Sequence, residues 1–329
     1  MNYQHAKIAV AGEGILIPSI ILCLLRAGHS VKRLGGAITT DSLNACSGSE
    51  AISLKGFHSG TETWDNTVVT DSELIILITP ENPPIKRAWL EKVVRVAPPN
   101  ALLLINTESI PLAELQAELP DPSRLLGLNW VYPAHLTYFA ELISTPRNRR
   151  EEVQAFMDLM ATSWRKDPYH LPKGKSIRSK LLAAMAREAF FLIENGYVLA
   201  EDIDRACRND PGYYLPFAGN CRYMDLMGTY VYGLVMKDLN PELSRASDVP
   251  EFFRETVAEG KLGWTSGQGS YSYPPEKVNK LEDAFRGFSE EMVGLMQRFP
   301  FPDGDTPEEP AGVSDQNEEK LKQETGTKN

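Results

Sequence analysis

Histidine and cysteine are scarce in this chain of 329 residues, which holds five of the first and four of the second. Cys23, Cys46, Cys207 and Cys221 form no Cys-x-x-Cys pair and keep no ligand spacing with any histidine, so neither a zinc site nor a disulfide framework is indicated, and no metal is expected. Basic residues are in the minority: 34 Lys and Arg stand against 44 Asp and Glu, a net charge of -10. That argues against nucleic acid, which needs a clustered positive face. No apolar run approaches a membrane span. Met1-Asn2-Tyr3-Gln4-His5 leads straight into a strand without the charged and apolar regions of a signal peptide, and the final Gly326-Thr327-Lys328-Asn329 is not a peroxisomal address. The expected location is the cytoplasm.

What the chain does have is enough apolar residue, 42%, to bury a sizeable core, at a length where one core usually gives way to two domains. Lys7-Ile8-Ala9-Val10-Ala11 reads as a strand, Ile15 to Arg26 as a buried helix closed by Gly28, and Ser30 to Leu34 as a second strand. This is a βαβ unit. Residues 35 to 65 are rich in Gly, Ser and Thr and read as loop, with one short strand at Ala51 to Leu54. The runs at 74–78 and 102–105 have the continuous apolar character of strands buried on both faces, separated by a helix at about 85–96. A short helix at 112–119 and a strand at 125–130 carry the alternation to about residue 145. Beyond it the strand signals stop and helices are predicted at 151–164, 176–194, 201–207, 249–260 and 277–296. The predicted fold class is α/β: a Rossmann-type, doubly wound parallel sheet in residues 1–172, then an all-helical domain in 173–300. Residues 301–329 are Pro, Glu, Asp, Gln and Lys with almost nothing apolar, and read as a disordered acidic tail.

Gly12-Glu13-Gly14 follows a strand and opens a helix, the context a dinucleotide fingerprint requires. Gly12 would make the turn, Gly14 would admit the pyrophosphate, and the helix N-terminus at Ile15 would supply N–H groups. Two positions depart from the pattern. The third glycine is Ile17, and Gly35 stands where an acidic residue should grip the adenosine ribose. Lys32 and Arg33 nearby either seat a 2′-phosphate or end the strand as solvated side chains.

Several longer segments carry a family resemblance. They are Val69 to Leu74, Pro80-Glu81-Asn82 to Lys86, Asn106-Thr107-Glu108-Ser109-Ile110 and Leu119 to Leu128 with Asn129-Trp130-Val131-Tyr132-Pro133. In the second half they are Ala200 to Asp204, Pro216 to Gly219, Asp225 to Gly228 and Leu262 to Tyr271. In this order, over residues 7 to 273, they resemble the 3-hydroxyacyl-CoA dehydrogenase family. The resemblance implies NAD or NADP as cofactor, an acyl-CoA or related hydroxy or keto acid as substrate, a place in fatty acid metabolism, and a homodimer through the helical domain. It implies cofactor contacts at Gly12, Gly14, Ile15, Glu81, Lys86 and Asn106. It also implies a helical hairpin after the second strand, which is cut back here.

The family oxidises its substrate with a histidine, oriented by a glutamate, that takes the hydroxyl proton as hydride leaves for nicotinamide. The glutamate matches Glu141, but the histidine position is Asn129, whose amide cannot accept a proton near neutral pH. Glu108, Tyr132 and Ser179 replace further polar residues of the family's site. Glu108, if it points inward, places a second carboxylate beside Glu141, and the two would raise each other's pKa. His135 is the nearest replacement base, its plain reading being a loop histidine. Tyr213, Tyr214, Tyr223, Tyr230 and Tyr232 read as core and subunit-contact residues. Two functions remain open: a diverged relative whose His–Glu chemistry is lost or altered, as a pseudoenzyme, a partner subunit or a catalyst of a changed reaction, or an active NAD(P)-dependent oxidoreductase using Glu141, Glu108 or water.

Overall fold

A computed structural model describes residues 3–48, 51–60 and 66–300; the expected acidic tail lies outside them. Strand β1 (Lys7–Gly12), helix α1 (Leu16–Arg26) and strand β2 (Ser30–Leu34) are followed by helix α2 (Thr40–Ser47) and strand β3 (Phe57–His58). Strand β4 (Leu74–Ile78), helix α3 (Pro83–Val94), strand β5 (Leu102–Ile105), helix α4 (Leu112–Gln116) and strand β6 (Leu125–Asn129) continue the alternation. Strand β7 (Phe139–Ile143), helix α5 (Arg150–Thr162) and strand β8 (Asp167–Leu171) complete the sheet.

The sheet has eight strands in the order β3-β2-β1-β4-β5-β6-β7-β8. All neighbours pair in parallel except β6 with β7. Every residue of β4, β5 and β6 is buried, as continuous apolar runs require when helices cover both faces. Alternate side chains divide between two cores. Ile8, Val10, Leu74 and Ile76 join Ile20, Leu24, Phe156 and Trp164 on one face, while Ala9, Ala11, Ile75 and Leu77 join Leu90, Val93 and Leu115 on the other. Strand order reverses between β1 and β4, and the crevice beyond their carboxyl ends is where such sheets take their ligands.

Helices α6 (Ile177–Glu194), α7 (Ala200–Asn209), α8 (Pro211–Met227), α9 (Thr229–Leu239), α10 (Glu251–Ala258) and α11 (Pro275–Arg298) follow. They bury little of themselves: α6, α7, α9 and α10 contain no fully buried residue. Among the described residues no helix is long and apolar enough to cross a membrane.

Three expectations need correction. The stretch read as loop contains α2, held at its start by the Thr39 hydroxyl accepting from Ser42 N–H at 3.1 Å, and Ala51–Leu54 is not a strand; the pairing falls at Phe57–His58. β8 was not expected, because Asp167-Pro168-Tyr169-His170-Leu171 has neither an apolar run nor clean alternation; it is an edge strand, where proline is tolerated. The tyrosines of α8 and α9 are not core. Tyr213 and Tyr230 are 85% and 78% exposed, and Tyr214 stacks on Tyr223 in a partly exposed pair.

Candidate active site

The glycine turn is built as its sequence demands. Gly12 has φ +105°, and a Cβ there would stand 1.7 Å from the Ile78 carbonyl oxygen, so no side chain fits. Gly14 has φ +114°, but a Cβ there would meet nothing within 4 Å; the backbone borders open space at the start of α1. Ile15 is 59% exposed. Ile17, in the third glycine's place, is buried in the core beneath the helix and does not intrude on the turn. The pyrophosphate end of a dinucleotide therefore fits these residues, with the first N–H groups of α1 as donors.

Glu81, Lys86 and Asn106 form one fastening between the loops after β4 and β5. Lys86 is fully buried, donates to the Asn106 carbonyl at 2.6 Å, and lies 3.1 Å from Glu81 Oε2. Glu81 Oε1 accepts from the backbone N–H groups of Glu108, Ser109 and Ile110 at 3.0, 2.8 and 3.0 Å. Burial opposes ionisation of Glu81, yet the Ile110 and Ser109 N–H groups and the Lys86 ammonium outweigh it and hold its carboxyl below the usual range. Asn106 closes the set by exchanging hydrogen bonds with the Thr79 backbone at 2.8 and 2.9 Å. In this structure all three residues serve one another.

Asn129 ends β6, directly opposite Glu141 on β7. Its Nδ2 donates to Glu141 Oε2 at 2.7 Å and to the Thr107 carbonyl at 2.8 Å, and its Oδ1 accepts from Thr107 N–H at 2.8 Å. Both amide protons are used, and the side chain is buried. Glu141 is buried as well, and its other oxygen accepts from Tyr169 Oη at 3.0 Å and from the N–H groups of Ile177 and Arg178 at 2.9 and 3.2 Å. Those two N–H groups lie at the start of α6, so the carboxylate also meets the positive end of the helix dipole. Burial and the neighbouring Glu141 push the Tyr169 hydroxyl well above the ordinary tyrosine range, keeping it a neutral donor.

Glu108 does not pair with Glu141. Arg178 stands between them: its backbone serves Glu141, while its Nη1 donates to both Glu108 oxygens at 3.0 and 3.1 Å. The Ser179 hydroxyl donates to the same carboxylate at 2.8 Å. The expected clash of two carboxylates is thereby replaced by an ion pair. Glu108 and Arg178 side chains are 40% and 28% exposed, in contrast to the closed Asn129–Glu141 pair behind them. Tyr132 stacks on Phe285 of α11 at 6.2 Å between ring centres. His135 is fully buried, and burial, with Arg26, Lys166 and Arg286 adding to it, pushes its pKa down to about 4, so it is a neutral interior ring.

Arg178 and Tyr169 were not anticipated from sequence. The Ser176-x-x-Ser179 spacing signals a helix start, realised as the Ser176 hydroxyl accepting from Ser179 N–H at 3.1 Å, and a helix start beside a buried carboxylate marks its second residue as a contact. For Tyr169 no sequence signal exists.

Comparison with known proteins finds relatives over both halves of the chain. The 3-hydroxyacyl-CoA dehydrogenase NAD binding domain matches residues 7–173, and the C-terminal domain of the same family matches residues 177–273. The 5-formyl-3-hydroxy-2-methylpyridine 4-carboxylate 5-dehydrogenase of Mesorhizobium japonicum is 27% identical over 289 residues, which cover 84% of this chain and 93% of that enzyme. A solved structure of a 5-dehydrogenase of that name, described as an NAD+ dependent dismutase, superposes with a TM-score of 0.74 at 25% identity, over 90% of this chain and 98% of the other. The 3-hydroxybutyryl-CoA dehydrogenase of Mycobacterium tuberculosis is 26% identical over 270 residues, 80% of this chain and 92% of that enzyme. With both family domains matched in order on the expected sheet and helices, this chain belongs to the 3-hydroxyacyl-CoA dehydrogenase family.

Proposed function

We propose that this chain binds a nicotinamide dinucleotide on its glycine turn but does not dehydrogenate 3-hydroxyacyl-CoA by His–Glu chemistry. One observation carries the reading: Asn129, in the seat of the family's histidine, spends both amide protons on Thr107 and Glu141. An amide so held has no basic lone pair for a hydroxyl proton and no donor left for a substrate oxygen. Glu141, enclosed by four donors, is equally withdrawn. A pair that oriented a proton acceptor in the family here staples β6, β7 and α6 together. A dinucleotide with its pyrophosphate at Gly12 and Gly14 would supply hydride acceptance or donation from its nicotinamide, and the chain's part would be to seat that pyrophosphate and exclude water.

The test has two arms. Either cofactor should raise the melting temperature, since a ligand that binds only the folded state must stabilise it. Acetoacetyl-CoA with NADH or NADPH should give no change in nicotinamide absorbance beyond the protein-free rate. Turnover at the rate of an ordinary family enzyme would overturn the proposal.

A second reading, an active oxidoreductase with Glu108 as proton acceptor, is favoured by the half-exposed Glu108–Arg178–Ser179 group at the mouth of the same cleft. The short α2, in place of the longer hairpin that the family resemblance implies, suits a small hydroxy or keto acid or aldehyde better than a CoA ester, and the Mesorhizobium relative is named for a pyridine carboxylate. Loss of turnover in Glu108→Gln on such a substrate, with cofactor affinity intact, would decide for this reading.

A second copy of the chain completes the proposal. Leu181, Leu226, Tyr213 and Tyr230 are each more than 60% exposed on helices that bury little of themselves, an apolar excess that a homodimer through the helical domain would cover. A monomer in light scattering at micromolar concentration would contradict it.

A further inference from the structure

Arg33 stands on β2 with its guanidinium turned into the protein, and only 5% of the residue is exposed. Nη1 donates to the carbonyls of Val10 and Leu34 and Nη2 to that of Gly12, while Nε has no partner. None of these acceptors carries a charge. Burial pushes the pKa down to about 10, so the group is still a cation at neutral pH, held with no counter-ion among the described residues in a place that disfavours cations. Its position is specific. The Gly12 carbonyl belongs to the first residue of the glycine turn, and Val10 pairs with Arg33 across β1 and β2.

The neighbouring cation is excluded from the same role. Strand alternation sends Lys32 to the other face, where its ammonium meets Asp71 at 2.8 Å. Beyond β2, Gly35 and Gly36 both have φ +76°, and a Cβ at Gly36 would come within 3.5 Å of Arg33 Nη2, so no side chain from this turn screens the guanidinium. The strand end itself, Leu34-Gly35-Gly36, offers no carboxylate for a ribose diol.

We infer that Arg33 makes the dinucleotide site selective for the cofactor that carries a phosphate on the adenosine 2′-oxygen. This rests on the dinucleotide reading proposed above. The 2′-phosphate is the counter-ion that the guanidinium lacks: on binding, Arg33 exchanges neutral carbonyl acceptors for phosphate oxygens, which make stronger, charge-assisted bonds with a guanidinium fork. A ribose diol, whose usual partner in this fold is an acid, finds a cation instead.

The test is equilibrium titration of the intact protein with two pairs of probes, 5′-AMP against adenosine 2′,5′-bisphosphate by calorimetry, and NADH against NADPH by nicotinamide fluorescence. The phosphorylated member of each pair should bind about 10–100-fold tighter, the worth of one or two charge-assisted bonds. The advantage should shrink with added salt. Arg33→Met should abolish the advantage, so that the phosphorylated and unphosphorylated members of each pair bind alike whatever their common affinity. Because that change also strips three carbonyls of a donor, Arg33→Lys is measured beside it, with folding checked by circular dichroism, and should keep part of the advantage. Equal or weaker binding of the phosphorylated probes by the unaltered protein overturns the inference and leaves the dinucleotide reading standing. Failure of all four probes to bind overturns both.

Discussion

Replacing Asn129 with aspartate changes one NH2 group into an oxygen and leaves volume untouched, yet the surroundings make it a severe change. The altered atom lies 2.7 Å from Glu141 Oε2 and 2.8 Å from the Thr107 carbonyl oxygen. Two buried carboxyl groups at that separation cannot both ionise, so the introduced carboxyl's pKa in the folded state rises by roughly 2–4 units, each worth about 1.4 kcal/mol. A group whose folded pKa is raised is stabilising below its unfolded value, about 3.9, and loses that contribution as pH climbs through the folded value. Asn129→Asp should therefore cost about 2–4 kcal/mol at pH 5, the lost bond to Thr107 together with about 1.5 kcal/mol for the pH already lying above the unfolded value. At pH 8 the loss should reach about 4–7 kcal/mol. Urea unfolding of both proteins at the two pH values, followed by tryptophan fluorescence, reads the difference directly. Losses that are equal at pH 5 and pH 8 would refute the reasoning, since they would mean that Asn129 and Glu141 are not in contact.

Glu81→Gln leaves the buried Lys86 without its counter-ion and should cost about 2–4 kcal/mol near neutral pH. Because the carboxyl of Glu81 is held below its usual range, its contribution is present above an unfolded value of about 4.3 and lost as pH falls through the folded value. The gap between the two proteins should then close in acid, and a gap constant from pH 7 to pH 3 would contradict the assignment. Gly12→Ala should give insoluble or unfolded protein, judged by yield and circular dichroism, because its Cβ would overlap the Ile78 carbonyl. Gly14→Ala meets open space and should fold with a loss of about 1–2 kcal/mol for its positive φ while losing cofactor binding; unchanged cofactor affinity would remove Gly14 from the site. Asn129→His alone should not restore turnover of acetoacetyl-CoA, because Glu108, Arg178 and Ser179 still occupy the approach; a measurable rate would show that the cleft is otherwise intact.

The strands read most sharply from sequence are the continuous apolar ones at the middle of the sheet. β4 and β5 fall on the boundaries that their apolar runs define, because burial on both faces leaves no room for polar residues. β8 stands at the sheet's edge and has no such constraint. Helices α8 and α9 escaped notice because Pro216, Gly219 and Gly228 interrupt them; Gly219 has non-helical angles, and a kink erases the periodicity on which detection depends. The family's altered positions were legible one by one, as were Gly12 and Gly14. Their partners were not. That Asn129 would be held by three hydrogen bonds, that Arg178 would intervene between Glu108 and Glu141, and that Arg33 would turn inward are outcomes of tertiary packing between residues 12 to 70 positions apart in no local pattern.

The central claim is that this cleft takes a dinucleotide but has lost the family's proton acceptor. It is tested in one cuvette: the protein is added to NADH, and separately to NADPH, until nicotinamide fluorescence saturates, and acetoacetyl-CoA is then introduced while the signal is followed. The predicted record is saturable binding of at least one form followed by a flat trace. A decay of the reduced nicotinamide signal in proportion to protein concentration would contradict the account.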